Sequence, residues 1–173
     1  YELKTIVPAW HAEEFRRVLN YLPLSSYFLA VTIAPVLAVG YLLSGAGSPE
    51  LYRSLLVLDP TLIFLAARAS IAFLGVVTIY LTYRLARNIF TSERAALLSA
   101  AFLAVSFYHL QLSQVTRHWM PALVCMSLAW LASFRIFQRG RTRDYIAAGV
   151  FAGLAVGANP ASVVVMIPAV LAH

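Results

Sequence analysis

The residues whose types best suit chemistry are Arg117, His118 and Trp119 in succession, with Tyr108 and His109 a short segment earlier. An arginine offers a planar fork of donors that matches phosphate oxygens. A neighbouring imidazole adds a hydrogen bond or moves a proton, and Trp119 with Tyr108 and His109 would wall the pocket. The same residues have a plainer use. Arg and Trp at a helix end are what the headgroup zone selects, and a histidine inside an apolar segment, as His109 is, commonly bonds a neighbouring helix or a lipid headgroup. Both uses stay open on these residues alone.

Other polar residues point less clearly to a site. Glu13 and Glu14 could form a base pair of carboxylates, but Arg16 and Arg17 follow Glu13 at helix-surface pairing distance. Asp59 precedes Pro60, the signature of a helix start, with Asp as cap and Pro in the first turn; an acid or metal-ligand role comes second. Asn159-Pro160 either kinks a helix or opens it to expose backbone groups. Cys125 stands alone within an apolar stretch, as a small packing residue. Gly149, Gly153 and Gly157 are spaced by four and would let another backbone approach closely. There is no phosphate-binding Gly loop, no paired cysteine, no His-Glu-x-x-His and no nucleophile elbow, and no metal site is expected from these residues.

The elements that must position these residues lie in a bilayer. Of the 173 residues 61% are hydrophobic and 12% charged, about half the charged fraction usual in soluble domains. The net charge of +6 forms no surface stripe on a polar fold, which sets nucleic acid aside. Residues 1–22 place Trp10, Phe15, Val18, Leu19 and Leu22 broadly opposite Glu13, Arg16 and Arg17, an interfacial pattern. An apolar run at 23–43 contains Pro35, and a Gly/Ser/Pro-containing loop follows at 44–60. Spans are expected near 61–87, 95–112, 119–137 and 145–171, the last interrupted at Asn159-Pro160. Arg68 lies near the entry of the first of these.

Arg84, Arg87 and Arg94, and then Arg135, Arg139, Arg141 and Arg143, fall at two turns separated by two crossings. The positive-inside rule places both turns at the cytoplasm. Arg117 to Trp119, the Asp59 turn and the end at His173 should then lie on the outer or lumenal side. The expected class is all-α: a polytopic transmembrane bundle with an interfacial juxtamembrane segment, incomplete because the chain starts without Met and stops straight after an apolar run.

Tyr21-Leu22-Pro23-Leu24-Ser25-Ser26-Tyr27-Phe28-Leu29-Ala30 resembles the Tyr-Pro-Pro-Leu-x-x-Tyr-x-Leu-Ala stretch of the C-type-fold membrane glycosyltransferases, in particular the protein O-mannosyltransferases and lipid A aminoarabinose transferases. Ala66-Ala67-Arg68-Ala69-Ser70 through Tyr83-Arg84-Leu85-Ala86-Arg87 resembles their next span. The stretch from His109 to Pro121 resembles the lead into the following helix, and Gly149 to His173 resembles their Gly-rich helix. The ordered series, rather than any one motif, carries the resemblance.

The resemblance implies an enzyme that takes a sugar from a polyprenyl-phosphate-linked donor lipid and passes it to a protein or lipid acceptor on the outer face. Arg117 and His118 would touch the donor phosphate. It also implies that 23–43 lies in the membrane plane, so that 1–60 forms an outer loop and 61–173 the spanning region. The family's acidic base would precede Tyr1, leaving this piece inactive alone. A divalent metal in the full enzyme is left open. Two departures stand out: Trp119 replaces an Asp common in the family, and no Lys stands near Asn159-Pro160. The expected location is a multi-pass membrane protein, in a prokaryotic plasma membrane rather than the endoplasmic reticulum. The rival reading is a transporter or flippase-like piece, whose kinked helix and Gly stripe would suit a gated pathway.

Overall fold

The computed structural model describes residues 23–172. The amphipathic pattern over 1–22 and the terminal His173 lie outside the described residues. All regular structure among those described is helical. The elements are α1 (Pro23–Ser44), α2 (Pro49–Leu58), α3 (Thr61–Phe90), α4 (Glu93–Val105), α5 (Phe107–Gln114), α6 (Trp119–Arg139), α7 (Thr142–Ala158), a 3-10 turn (Pro160–Val165) and α8 (Met166–Leu171). The expected all-α class is the observed one.

α1, α3 and α6 are each long and apolar enough to cross a membrane, and α4 with α5 makes a fourth such unit if counted together. The exterior suits that solvent. Phe64, Leu65, Phe73, Val76 and Tyr80 of α3 are exposed, while Ala67, Ile71, Leu74, Gly75, Thr78 and Leu81 form a buried stripe at three- and four-residue spacing. α1 runs unbroken through Pro35 and has the length to cross. Its Phe28 and Leu29 pack against the Ile71–Leu74–Met120 cluster, and its Gly40 meets Tyr52 and Leu62. α1 therefore lies antiparallel to the first half of α3.

The third expected span differs in shape. Ser106 is extended, at φ −63° and ψ 120°, and it separates α4 from α5 with a bend of 59°. Its N–H donates to Leu103 O, while its side chain makes no cap for α5. No proline marks the place, so periodicity alone carried the expected segment straight through it.

The two arginine turns do share one end of the bundle. The first closes through Thr91 in the left-handed region, followed by Ser92 capping α4 at Ala95 N; the second closes through Gly140, also left-handed, whose N–H donates to Ile136 O. Arg84 of α3, Arg135 and Arg139 of α6 and Arg143 of α7 border one cavity there. Trp119 begins α6 at the other end.

The last expected span is corrected. The chain does not continue through Asn159-Pro160 as a kinked helix; it reverses. Val165 packs with Ala129, Ala152 and Ala155, and Ala169 and Ala172 then pack with Ala132, Ile136 and Ala148. The stretch after Pro160 thus runs back antiparallel to α7, and Ala172 lies towards the arginine-bearing end rather than the opposite one. Asn159 explains the turn. It is extended, its N–H closes α7 on Ala155 O, and its Oδ1 accepts from Ala161 N at 3.2 Å to open the next turn, with Pro160 in first place.

The glycine expectation also changes. A Cβ at Gly149, Gly153 or Gly157 would meet nothing within 4 Å, so no backbone approaches that stripe among the described residues. The face of α7 that packs is instead Ala148, Ala152, Ala155 and Ala158, all buried.

Close approach does occur at Gly75, where an added Cβ would come within 2.5 Å of Ser113 Oγ and 3.0 Å of Ser113 Cβ. Gly75→Ala should therefore destabilise the α3–α5 contact by about 1–3 kcal/mol through overpacking. Thermal unfolding in detergent reads the loss, and adding Ser113→Gly should restore most of it.

Candidate functional site

The turn between α5 and α6 displays Arg117 to Trp119 at the end of the bundle opposite the arginine turns. It is built by a short bond, Arg117 N–H to Val115 O at 2.8 Å, and His118 O then accepts from Ala122 N to start α6. Arg117 is exposed, and no carboxylate pairs with it among the described residues. His118 is half-buried, with its ring 4.6 Å from that of Trp119 and tilted 32° to it. Its Nδ1 is buried without a hydrogen-bond partner.

Burial first, and then the Arg117 charge, hold the His118 pKa below its usual 6.5. The imidazole is thus neutral at neutral pH, and Arg117 is the fixed cation of the pair. Asp59, at the start of α3, behaves as a cap: its Oδ1 accepts from Thr61 N at 3.1 Å. Hydrogen bonds from Thr61 hold its carboxyl below the ordinary Asp value.

The structure separates Tyr108 from His109. Tyr108 is exposed on α5. His109 is 4% exposed, lies against Gly75 of α3, and its Nε2 is buried without a partner. Its carbonyl accepts from Ser113 Oγ at 2.8 Å. His109 is therefore set between helices and is not gathered with Arg117.

Trp119 instead meets residues that sequence reasoning did not join to it. With Leu112, Ala122, Leu123, Met126, Asn159, Ala161 and Ser162 it lines a cavity of about 230 Å³. The reversal at Asn159-Pro160 brings Asn159 and Ser162 to the start of α6. The two departures from the family pattern noted above, Trp119 and the Asn159 region, thus meet at one place. The signal that could have found this was the cap-then-proline pair, which marks a new helix start rather than a kink. Among the described residues no group of three His, Cys, Asp or Glu side chains could hold a metal ion.

A family model described as dolichyl-phosphate-mannose-protein mannosyltransferase matches residues 63–172, more than half of the chain. The chain belongs to this family. Within this mannosyltransferase family chain the matched region runs from the first turn of α3 to the end of α8 and contains the Arg117 turn, the Trp119 cavity and the Asn159 reversal. Family membership makes it a membrane glycosyltransferase domain. Comparison with curated proteins and with solved structures finds no match.

His118 supplies a direct check on the site's electrostatics. Its folded pKa is depressed, so between that value and about 6.5 the unfolded chain binds more protons. Its contribution to stability is full above that range and is lost as pH falls through the folded value. In an NMR titration the imidazole should titrate below 6.5, and Arg117→Gln should move the midpoint only part of the way back, because burial is the larger cause.

Proposed function

We propose that this chain is part of an integral-membrane glycosyltransferase that moves a sugar from a polyprenyl-phosphate-linked donor to a protein or lipid acceptor on the outer or lumenal face. The anomeric centre would be inverted by direct displacement. Arg117 and His118 hold the leaving phosphate, and Trp119, with Tyr108 on the neighbouring helix, shapes the approach to it. The observation that carries this reading is the Arg117–His118 turn itself: an exposed guanidinium without a carboxylate partner, beside an imidazole whose buried Nδ1 is unpartnered.

The chemistry follows from the charges. As the glycosidic bond breaks, negative charge grows on the phosphate oxygens, and a guanidinium fixed there stabilises the transition state more than the ground state. A neutral imidazole donates one further hydrogen bond without adding a second charge. Proton removal from the acceptor hydroxyl needs a base. Residues 1–60 stand on the outer side, leading into the spanning region at 61–173, and both arginine turns face the cytoplasm.

Arg117→Ala in the full-length protein should lower transfer about 10- to 100-fold, the range expected for losing a hydrogen bond to a charged group. Arg117→Lys should recover part of it, since the charge remains but the fork does not. The readout is sugar transfer from a lipid-linked donor together with donor affinity; unchanged rate and affinity in Arg117→Ala would overturn the assignment.

A further inference from the structure

The arginine-bearing end holds a second polar recess, far from the Arg117 turn. Arg84 and Asn88 of α3, Arg135, Gln138 and Arg139 of α6, and Arg143, Asp144 and Ala147 of α7 line a cavity of about 590 Å³. Three separate helices thus place four arginines around one space. Arg87, Arg94 and Arg141 sit on the same turns and do not line it. Simple enrichment of arginine at a membrane surface would not sort the side chains in this way.

The charges in the recess are unbalanced. No ion pair forms there among the described residues. Arg84 is braced by Tyr80, whose Oη accepts from Nη1 at 3.0 Å, and no hydrogen bond holds the heads of Arg135, Arg139 or Arg143 among the described residues. Asp144 is 6% exposed, and its Oδ2 is buried without a hydrogen-bond partner. An occupant that suits this lining carries an anionic phosphate for the arginines and a hydrogen-bond donor for the carboxylate. The same helix ends also carry an apolar face: Leu85 and Ile89 of α3 and Phe134 and Phe137 of α6 line a separate cavity of about 460 Å³. These residues follow Arg84 and Asn88, and precede Arg135 and Gln138, by one position each. Polar and apolar chambers therefore flank the same two helix ends.

We propose that this recess seats the headgroup of an anionic phospholipid bearing a free hydroxyl, such as a phosphatidylglycerol. The arginines take the phosphodiester and Asp144 accepts from the hydroxyl. Basic pockets between membrane helices recognise lipid heads by this physics, and the fork geometry of arginine favours a phosphate over a diffuse anionic surface. The inference rests on the bundle being a membrane protein and not on the transfer reaction.

The test uses the full-length protein in detergent, with lipid binding followed by native mass spectrometry. The probes are phosphatidylglycerol, phosphatidic acid without a headgroup hydroxyl, zwitterionic phosphatidylcholine, and inorganic phosphate. Phosphatidylglycerol should bind about tenfold more tightly than phosphatidylcholine. Arg135→Ala with Arg139→Ala should remove that preference, whereas Arg87→Ala with Arg94→Ala should change it by less than about twofold. Asp144→Ala should abolish the preference for phosphatidylglycerol over phosphatidic acid and leave phosphate recognition in place. Because Arg135 and Arg139 are exposed, the double variant should keep its unfolding temperature in lipid-free detergent; if it does not, Arg135→Lys with Arg139→Lys gives the same comparison with the charge retained. Equal losses in the two arginine pairs would reduce the recess to a generic basic surface and overturn the proposal. So would displacement of the lipid by millimolar inorganic phosphate, which would identify a free-anion site.

Discussion

The contact on which the rest of the bundle depends is the meeting of α6 and α7 through alanines. Ala129 and Ala132 on one helix and Ala148, Ala152 and Ala155 on the other are all buried. In hydrocarbon there is no hydrophobic gain from driving apolar side chains together, so association rests on packing at close range. Small residues permit that range. Serines take part without leaving unmet donors, because Ser127 and Ser133 give their hydroxyl hydrogens to the carbonyls four residues earlier, at 2.8 Å and 2.9 Å. With this pair fixed, α8 has a groove to return along, and the recess at the arginine end and the cavity beside Trp119 fall at its two ends.

The ends of helices are the second constraint. Backbone groups that a helix leaves unpaired are costly away from water, and this chain meets the cost with a side chain at four of its breaks. Ser48, Asp59, Ser92 and Asn159 each accept a backbone N–H just inside the following helical turn. The Asn159 cap does more, because the same reversal that closes α7 carries Asn159 and Ser162 to Trp119.

Much of this architecture is legible in the residues. The apolar runs, the turn at Thr91 to Glu93, and the shared end of the two arginine turns follow from composition and charge, because a bilayer leaves few other solutions. What was not legible has physical causes. Ser106 bends the third segment without a proline or glycine to announce it. The Gly149, Gly153 and Gly157 stripe reads as a packing face, yet neighbouring alanines serve instead, and spacing alone does not say which of two small-residue faces a partner chooses. Pro160 following a capping Asn carries the same signature as Pro49 after Ser48 and Pro60 after Asp59, but within a long apolar run it passes for a kink. Of the proposed site, the Arg117–His118–Trp119 sequence was visible as a cluster. The separation of His109 from Tyr108, and the joining of Trp119 to Asn159, depend on tertiary packing that no local pattern encodes.

The unequal heights of α3 and α6 have a further consequence for the surrounding lipid. α3 has 30 residues and α6 has 21, and Met120, at the start of α6, packs beside Ile71 and Leu74. About ten residues of α3, roughly 15 Å of rise, therefore stand above the point where α6 begins. A lamella of uniform depth cannot match both flanks. Either the hydrocarbon thins along the α6 side or the whole body leans, and hydrophobic mismatch of this kind is relieved at modest cost by both routes. The protein thus imposes its own asymmetry on its lipid annulus, with the shallowest rim beside the turn that bears Arg117.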